Sequence, residues 1–258
     1  ASKFALNELP PLLMIALRFA LLSLLLAPLA LRQPLPNRAR MKSFAVICLT
    51  TLVFHFSTLL LALHMGLNVT SCILAVQLGV PFSCILSTYV FKDYLGPWRS
   101  AGMAIAFLGV VFVAGTPNVV ENLGAFMIAI VSALGWSAGN LYLKIMKPEK
   151  TVPLLFWPGL MALLSMTLLS ALFESNQAEH IRAASWQAWA AIGYSAAFSS
   201  VIGYGLWNWL MTRYPVNDVV PYSMLLPIAG ISGGVLFFDD PINWHIVVGA
   251  ALTIVGVG

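Results

Sequence analysis

The run Pro11–Ser23, PLLMIALRFALLS, returns 142 residues later as PLLFWPGLMALLS at Pro153–Ser165, with Pro-Leu-Leu at the head and Ala-Leu-Leu-Ser at the tail of both. Each copy belongs to an apolar stretch of roughly 20 residues, the length of α-helix that crosses a hydrocarbon core about 30 Å thick. A similarity kept at a fixed offset over such a distance is the signature of an internal repeat. Further marks extend it. Pro81 matches Pro227 at an offset of 146, and Phe91, Asp93, Gly102 and Gly109 match Phe238, Asp240, Gly249 and Gly256 at 147. Small insertions account for the drift. The boundary falls between residues 118 and 119, giving a first repeat at 1–118 and a second at 119–258.

Composition points the same way. Of the 258 residues, 60% are hydrophobic and 9% charged, against about 45–50% and 25% in a soluble domain. With Pro, Gly and charge as punctuation, complete spans are predicted near 10–32, 43–65, 69–91, 97–115, 122–143, 153–173, 187–210 and 216–238. Partial spans at 1–8 and 243–258 bring the number to ten, with the first and last helices truncated. The predicted fold is therefore an all-α membrane protein of ten transmembrane helices in two five-helix repeats. Five is odd, so the second repeat enters the membrane in the opposite sense, and the two become inverted repeats about an axis in the membrane plane.

Loop charges orient the chain, because short cytoplasmic loops collect Lys and Arg. Arg32, Arg38, Arg40, Lys42, Lys92, Arg99, Lys144, Lys147, Lys150 and Arg213 fall in alternate loops on one side. The other side carries Arg182 and the acids Glu8, Glu121, Glu174, Glu179, Asp239 and Asp240. Both termini are thus expected to be cytoplasmic, in a multi-pass protein of the inner membrane. The net charge of +4 lies in short loops and builds no continuous basic face, which argues against a nucleic-acid partner. Cys48, Cys72 and Cys84 sit inside apolar segments and read as packing residues.

Enzyme chemistry finds no foothold. His55, His64, His180 and His245 lack metal-ligand spacing, and Gly203-Tyr204-Gly205 is too short for a dinucleotide loop. No metal or cofactor is expected. What stands out instead are polar and aromatic groups at membrane depth, which are costly unless they face a cavity or a partner. His55, Gln77, Trp136, Asn140, Tyr204, Trp207 and Ser223 are the candidates for a substrate cavity. Trp136 and Asn140 share a helix face, as do Tyr204, Trp207 and Asn208; interhelical hydrogen bonding and packing are the alternative use. Lys3 and Lys144 stand eight and nine residues before Pro11 and Pro153, as gates for an anionic group or as residues that snorkel to the headgroups. Arg18 is expected to snorkel. Pro81, Pro221 and Pro227 are expected kinks.

These features resemble the EamA-type branch of the drug/metabolite transporter superfamily, along essentially the whole chain. The resemblance is carried by Lys3 seven residues before Pro10, the Ala62-Leu63 turn, Asp93, Gly102 to Gly109 and Trp136 to Lys144. It continues through Gly203-Tyr204-Gly205 with Trp207, Pro227, and Asp240 leading to Gly249 and Gly256. Within the branch the chain is most similar to amino-acid metabolite exporters of the cysteine and O-acetylserine type. This chain has aspartate at 93 and 240 where the family usually has glutamate. The resemblance implies a secondary transporter that exports or exchanges small amino acids or related metabolites by alternating access. Its partners would be a zwitterionic small molecule and the lipid bilayer, with a homodimer left open. A multidrug or nucleotide-sugar exporter is the alternative, and a membrane-embedded enzyme a remote one.

Overall fold

The computed structural model of the chain describes residues 2–91, 96–146, 150–214, 225–238 and 242–257. Asp93, Ser223, Pro221 and Asp240 lie outside the described residues, and for Lys3 and Pro227 only the backbone is described.

All regular structure among the described residues is helical. In chain order the helices are α1 (Ser2–Leu6), α2 (Pro11–Ala30), α3 (Arg38–Ile47), α4 (Phe56–His64), α5 (Val69–Val76), α6 (Gly79–Phe91), α7 (Pro97–Ala114) and α8 (Pro117–Glu121). They continue as α9 (Leu123–Met146), α10 (Thr151–Phe173), α11 (Gln177–Ala183), α12 (Trp186–Tyr194), α13 (Gly205–Arg213), α14 (Leu225–Phe238) and α15 (Trp244–Val257). Two wider π-helical segments replace α-helix, π1 (Cys48–His55) between α3 and α4, and π2 (Ser195–Tyr204) between α12 and α13.

Local chemistry explains the starts. Pro11, Pro97 and Pro117 occupy first helical positions, where a missing N–H costs nothing and the fixed φ is already helical. Asn37, Asn68 and Ser185 cap α3, α5 and α12 by accepting from the backbone N–H of Arg40, Ser71 and Ala188. Five helical runs have the length and apolarity to cross a membrane, Pro11–Ala30, Arg38–His64, Val69–Val90, Leu123–Met146 and Thr151–Phe173. Ser100–Ala114 and Trp244–Gly256 are shorter apolar helices. The run 69–90 is broken where the expected kink falls. Val80 N–H bonds the Gln77 carbonyl at 3.1 Å, a carbonyl that Pro81, lacking an N–H, could not serve in α-helical register.

The chain folds into two compact units, each drawing on both sequence halves. The first comprises Ala1–Ser57 and Tyr142–Tyr214, the second Thr58–Leu141 and Pro215–Gly258.

In the first unit α2 and α10 pack antiparallel. Phe19 and Leu22 lie at Gly159, while Glu174, just past the end of α10, accepts from the backbone N–H of Leu12 at 2.7 Å and of Leu13 at 2.9 Å. A carboxylate there satisfies open donors and complements the positive helix end. Met14, Ile15, Phe19, Leu22, Phe156, Ala162 and Met166 are buried along the seam. The two ends of this unit differ in charge. Glu8, Glu174 and Ser185 gather at one end, and Arg40 reaches the Met146 carbonyl at the other.

In the second unit α7 and α15 cross in antiparallel contact at glycines. A Cβ on Gly102 would lie 2.5 Å from the Gly256 carbonyl oxygen, and one on Gly109 would lie 2.6 Å from that of Gly249. Small residues let helix backbones approach this closely in membranes. The remaining core gathers Leu67, Leu74, Leu78, Val113, Val119, Phe126 and Ile246.

Outward faces are apolar. Leu164, Leu168 and Leu172, four residues apart on α10, are exposed and form a lipid-facing stripe. Trp98, Trp186 and Trp244, at the starts of α7, α12 and α15, are exposed, as aromatic residues at a membrane interface are.

Candidate functional site

Arg18 is the residue around which the first unit's polar interior is built. It stands seven residues into α2, about 10 Å of helix from its start, and is only 5% exposed. The expected snorkelling does not occur. Arg18 lies on the same face of α2 as Met14 and Leu22, four residues to either side and both buried, so its side chain is turned into the unit and away from lipid.

Nε and Nη2 both donate to the Ser200 hydroxyl, at 3.1 and 2.9 Å. Ser200 in turn donates to the Ser195 carbonyl at 3.0 Å, five residues back along π2. That carbonyl takes the hydroxyl proton and leaves the oxygen's lone pairs facing the guanidinium. Above the guanidinium lies the Phe56 ring, with Cζ 4.5 Å from its centroid. Phe56 also meets Tyr204 edge-on at 6.0 Å and Phe19 at 6.1 Å. His55 is buried beside it, its ring centroid 5.2 Å from that of Phe56. Four elements therefore converge, α2 with Arg18 and Phe19, the end of π1 with His55, the start of α4 with Phe56, and π2 with Ser200 and Tyr204. A π-helical turn inserts an extra residue and redirects the side chains beyond it, and such turns gather at functional sites.

The energetic terms are of similar size. An arginine at the centre of a membrane helix costs about 2.5–3.5 kcal/mol on insertion scales. A desolvated cation–π contact returns about 2 kcal/mol, and a hydrogen bond to a charged group about 1.5–3 kcal/mol. These terms hold the cation in place. Both hydrogen bonds, however, end on one neutral oxygen, and no carboxylate among the described residues pairs with Arg18. Its Nη1 amino group has no acceptor among them either.

The other sequence-predicted residues divide between the units. His55, Tyr204 and Trp207 belong to the first, with Tyr204 and His55 brought to the Phe56 ring; Lys144, half-buried in the last turn of α9, is also in this unit. Gln77, Trp136 and Asn140 belong to the second. Gln77 is buried at the α5–α6 break. The Trp136 ring packs so close to Gly79 that a Cβ there would sit 2.6 Å from its Cε3. Ser137 clamps the same break by donating to the Gly79 carbonyl at 2.8 Å. Asn208 is buried, in keeping with a packing role.

Sequence reasoning missed Arg18, Ser200 and Phe56 as a set. The available signal was a lone cation well inside an apolar span, together with the Ser199-Ser200 pair inside another. What it lacked was the facing of α2, since either side of so apolar a helix could have been its core.

Long apolar helices with lipid-suited outer faces, and a buried cation that no carboxylate among the described residues pairs, define a multi-pass α-helical membrane protein. The model of the EamA-like transporter family matches residues 1–115 and 123–258. The chain belongs to the EamA-like transporter family and is a membrane transporter with a small-molecule substrate. Among curated relatives it is 27% identical over 265 residues to a probable amino-acid metabolite efflux pump of Salmonella typhimurium, covering 99% of this chain and 87% of the relative. It is 26% identical over 264 residues to a probable amino-acid metabolite efflux pump of Escherichia coli K12, with the same coverage. An uncharacterized inner membrane transporter of Escherichia coli K12, YedA, is 25% identical over 226 residues, 86% of this chain and 72% of the relative. One crystal structure with 18% sequence identity has a TM-score of 0.71, covering 98% of this chain and 88% of that one, a likeness of fold.

Proposed function

We propose that this transporter exports or exchanges small amino acids or related metabolites across the inner membrane, by alternating access of two inverted five-helix repeats. The observation that carries the substrate class is the similarity, over 99% of the chain, to two proteins named as probable amino-acid metabolite efflux pumps.

Three features support the inverted repeat. The family model matches two stretches separated near residue 118, where the sequence repeat divides. The first compact unit joins residues 1–57 to 142–214, stretches that correspond at about the repeat offset, and the second joins 58–141 to 215–258. Repeat mates also meet crosswise. Gly102 contacts Gly256 while Gly109, the mate of Gly256, contacts Gly249, the mate of Gly102. Reciprocal contact of this kind is what a two-fold axis produces.

In this reading His55, Tyr204 and Trp207 of the first unit, and Gln77, Trp136 and Asn140 of the second, with Ser223, are substrate-contact residues. Lys3 and Lys144 act as gates, and both termini are cytoplasmic. Asp93 and Asp240 stand with Pro81 and Pro227 as repeat marks.

Efflux from proteoliposomes loaded with small amino acids tests the function, together with resistance of cells to toxic amino-acid analogues. Flux above that of empty vesicles is expected, and changes at Gln77, Asn140 or Tyr204 should lower resistance. No flux in any gradient, with resistance indifferent to all three substitutions, would sink the proposal.

A further inference from the structure

We infer that Arg18 is the counter-ion for a carboxylate of the transported molecule, held in a subsite formed by Arg18, Ser200, Phe56 and Tyr204; this rests on the export reading and names the group by which the substrate is recognised.

The inference starts from what Arg18 lacks. It is 5% exposed, yet its described partners are one hydroxyl oxygen and two aromatic rings, Phe56 at 4.5 Å and Phe19 at 5.8 Å. Buried charges in proteins are paired or coordinate metals. Among the described residues no anion faces Arg18, and a substrate that brings one would complete the site.

The remaining donors suit a carboxylate. Ser200 occupies the Nε–Nη2 edge. The edge left open by the described residues is therefore Nη1–Nη2, a planar fork that matches the two oxygens of a carboxylate. One cation in a desolvated interior balances one negative charge, whereas a phosphate at neutral pH would bring an excess. The Phe56, Phe19 and Tyr204 rings exclude water from around the guanidinium, and a charge-assisted contact is strongest where water is absent.

Ser200 is a positioning residue. Its proton is committed to the Ser195 carbonyl, so its oxygen can only accept. It thereby fixes the guanidinium plane and turns the free fork away from π2.

The experiment measures thermal stability of the purified wild type at pH 7 with L-alanine, L-serine and O-acetyl-L-serine, each beside its methyl ester, which keeps the ammonium and removes the carboxylate. A ligand that binds the folded state raises apparent stability. At least one acid should stabilise the wild type, with its ester weaker by about tenfold or more. Arg18→Lys should retain part of the preference for the acid, and Arg18→Gln should lose it. If Arg18→Gln does not fold, the wild-type comparison of acid and ester and the Ser200→Ala variant carry the test; Ser200→Ala should narrow the gap between acid and ester. An ester equal to its acid, no stabilisation by any acid, or an acid preference unchanged in Arg18→Gln would each overturn the inference.

Efflux of the same compounds separates the two claims. Flux of esters equal to that of acids leaves export standing and removes the carboxylate site. Arg18-dependent stabilisation by acids with no flux in any gradient leaves the site standing and removes export.

Discussion

Glu8 ties the short loop before α2 to the start of α12. Its carboxylate accepts from the Ser185 hydroxyl and from the Ser185 backbone N–H, each at 2.6 Å, and its backbone carbonyl lies 3.0 Å from His180 Nδ1. The Ser185 hydroxyl first, and its backbone N–H second, hold the Glu8 carboxyl below its usual 4.5. A carboxyl whose pKa is lower folded than unfolded binds protons more readily unfolded, so stability rises with pH across that window. The contribution is complete above about pH 4.5 and disappears as the pH falls through the lowered folded value. Melting temperatures of wild type and Glu8→Gln between pH 6 and pH 3 should therefore converge towards the acid end. A gap that stays constant would show that the Glu8 charge contributes nothing. At the same scale, Arg18 reads as a lipid-facing anchor in sequence and is a buried group in the fold.

Helix contacts at glycine decide the second unit. A Cβ on Gly109 would lie 2.5 Å from Thr253 Oγ1, 2.6 Å from the Gly249 carbonyl and 2.8 Å from the Thr253 backbone nitrogen. Backbone cannot yield as a flexible side chain can, so Gly109→Ala must push α7 and α15 apart. Overpacking of this kind costs about 1–3 kcal/mol, and a lowered melting temperature in detergent should register it. Gly193 in α12 provides the contrast, with nothing within 4 Å of its built Cβ. Alanine there should leave stability unchanged or raise it by up to about 1 kcal/mol, since glycine is the poorer helix former. Equal losses at both positions would mean that the α7–α15 contact is not what the Gly109 change disturbs. The π segments are the other decision at this scale. Nothing in Cys48–His55 or Ser195–Tyr204 distinguishes π from α by hydrophobic period, yet π2 alone sets Ser200 in line with both the Ser195 carbonyl and Arg18.

For the whole molecule, the charge asymmetry of the loops and the repeat make one topological statement. Leu35 follows α2 and is 77% exposed, and Glu179 on α11 is also exposed. In a background lacking Cys48, Cys72 and Cys84, Leu35→Cys should react with a membrane-impermeant thiol reagent only after cells are permeabilised. Glu179→Cys should react in intact cells. The reverse pattern would overturn the cytoplasmic assignment of the basic loops, and with it both termini.

What the sequence determined by itself was the set of apolar spans and their punctuation. A helix in lipid satisfies its backbone locally, so length, hydropathy, Pro and Gly suffice to find it, and the runs at 11–30, 38–64, 69–90, 123–146 and 151–173 lie close to where they were expected. The family was legible from marks along the chain, Pro and Gly at fixed spacing together with Lys3, Asp93, Trp136, Trp207 and Asp240. The facing of those helices was not legible. On α2, leucine, methionine and phenylalanine occur all the way round, so no periodicity separates the lipid side from the interior. Only packing against α10 and π2 turned Arg18 inward to Ser200, Phe56 and Tyr204, because burial depends on neighbours distant in the chain, Phe56 on the next span and Ser200 182 residues away.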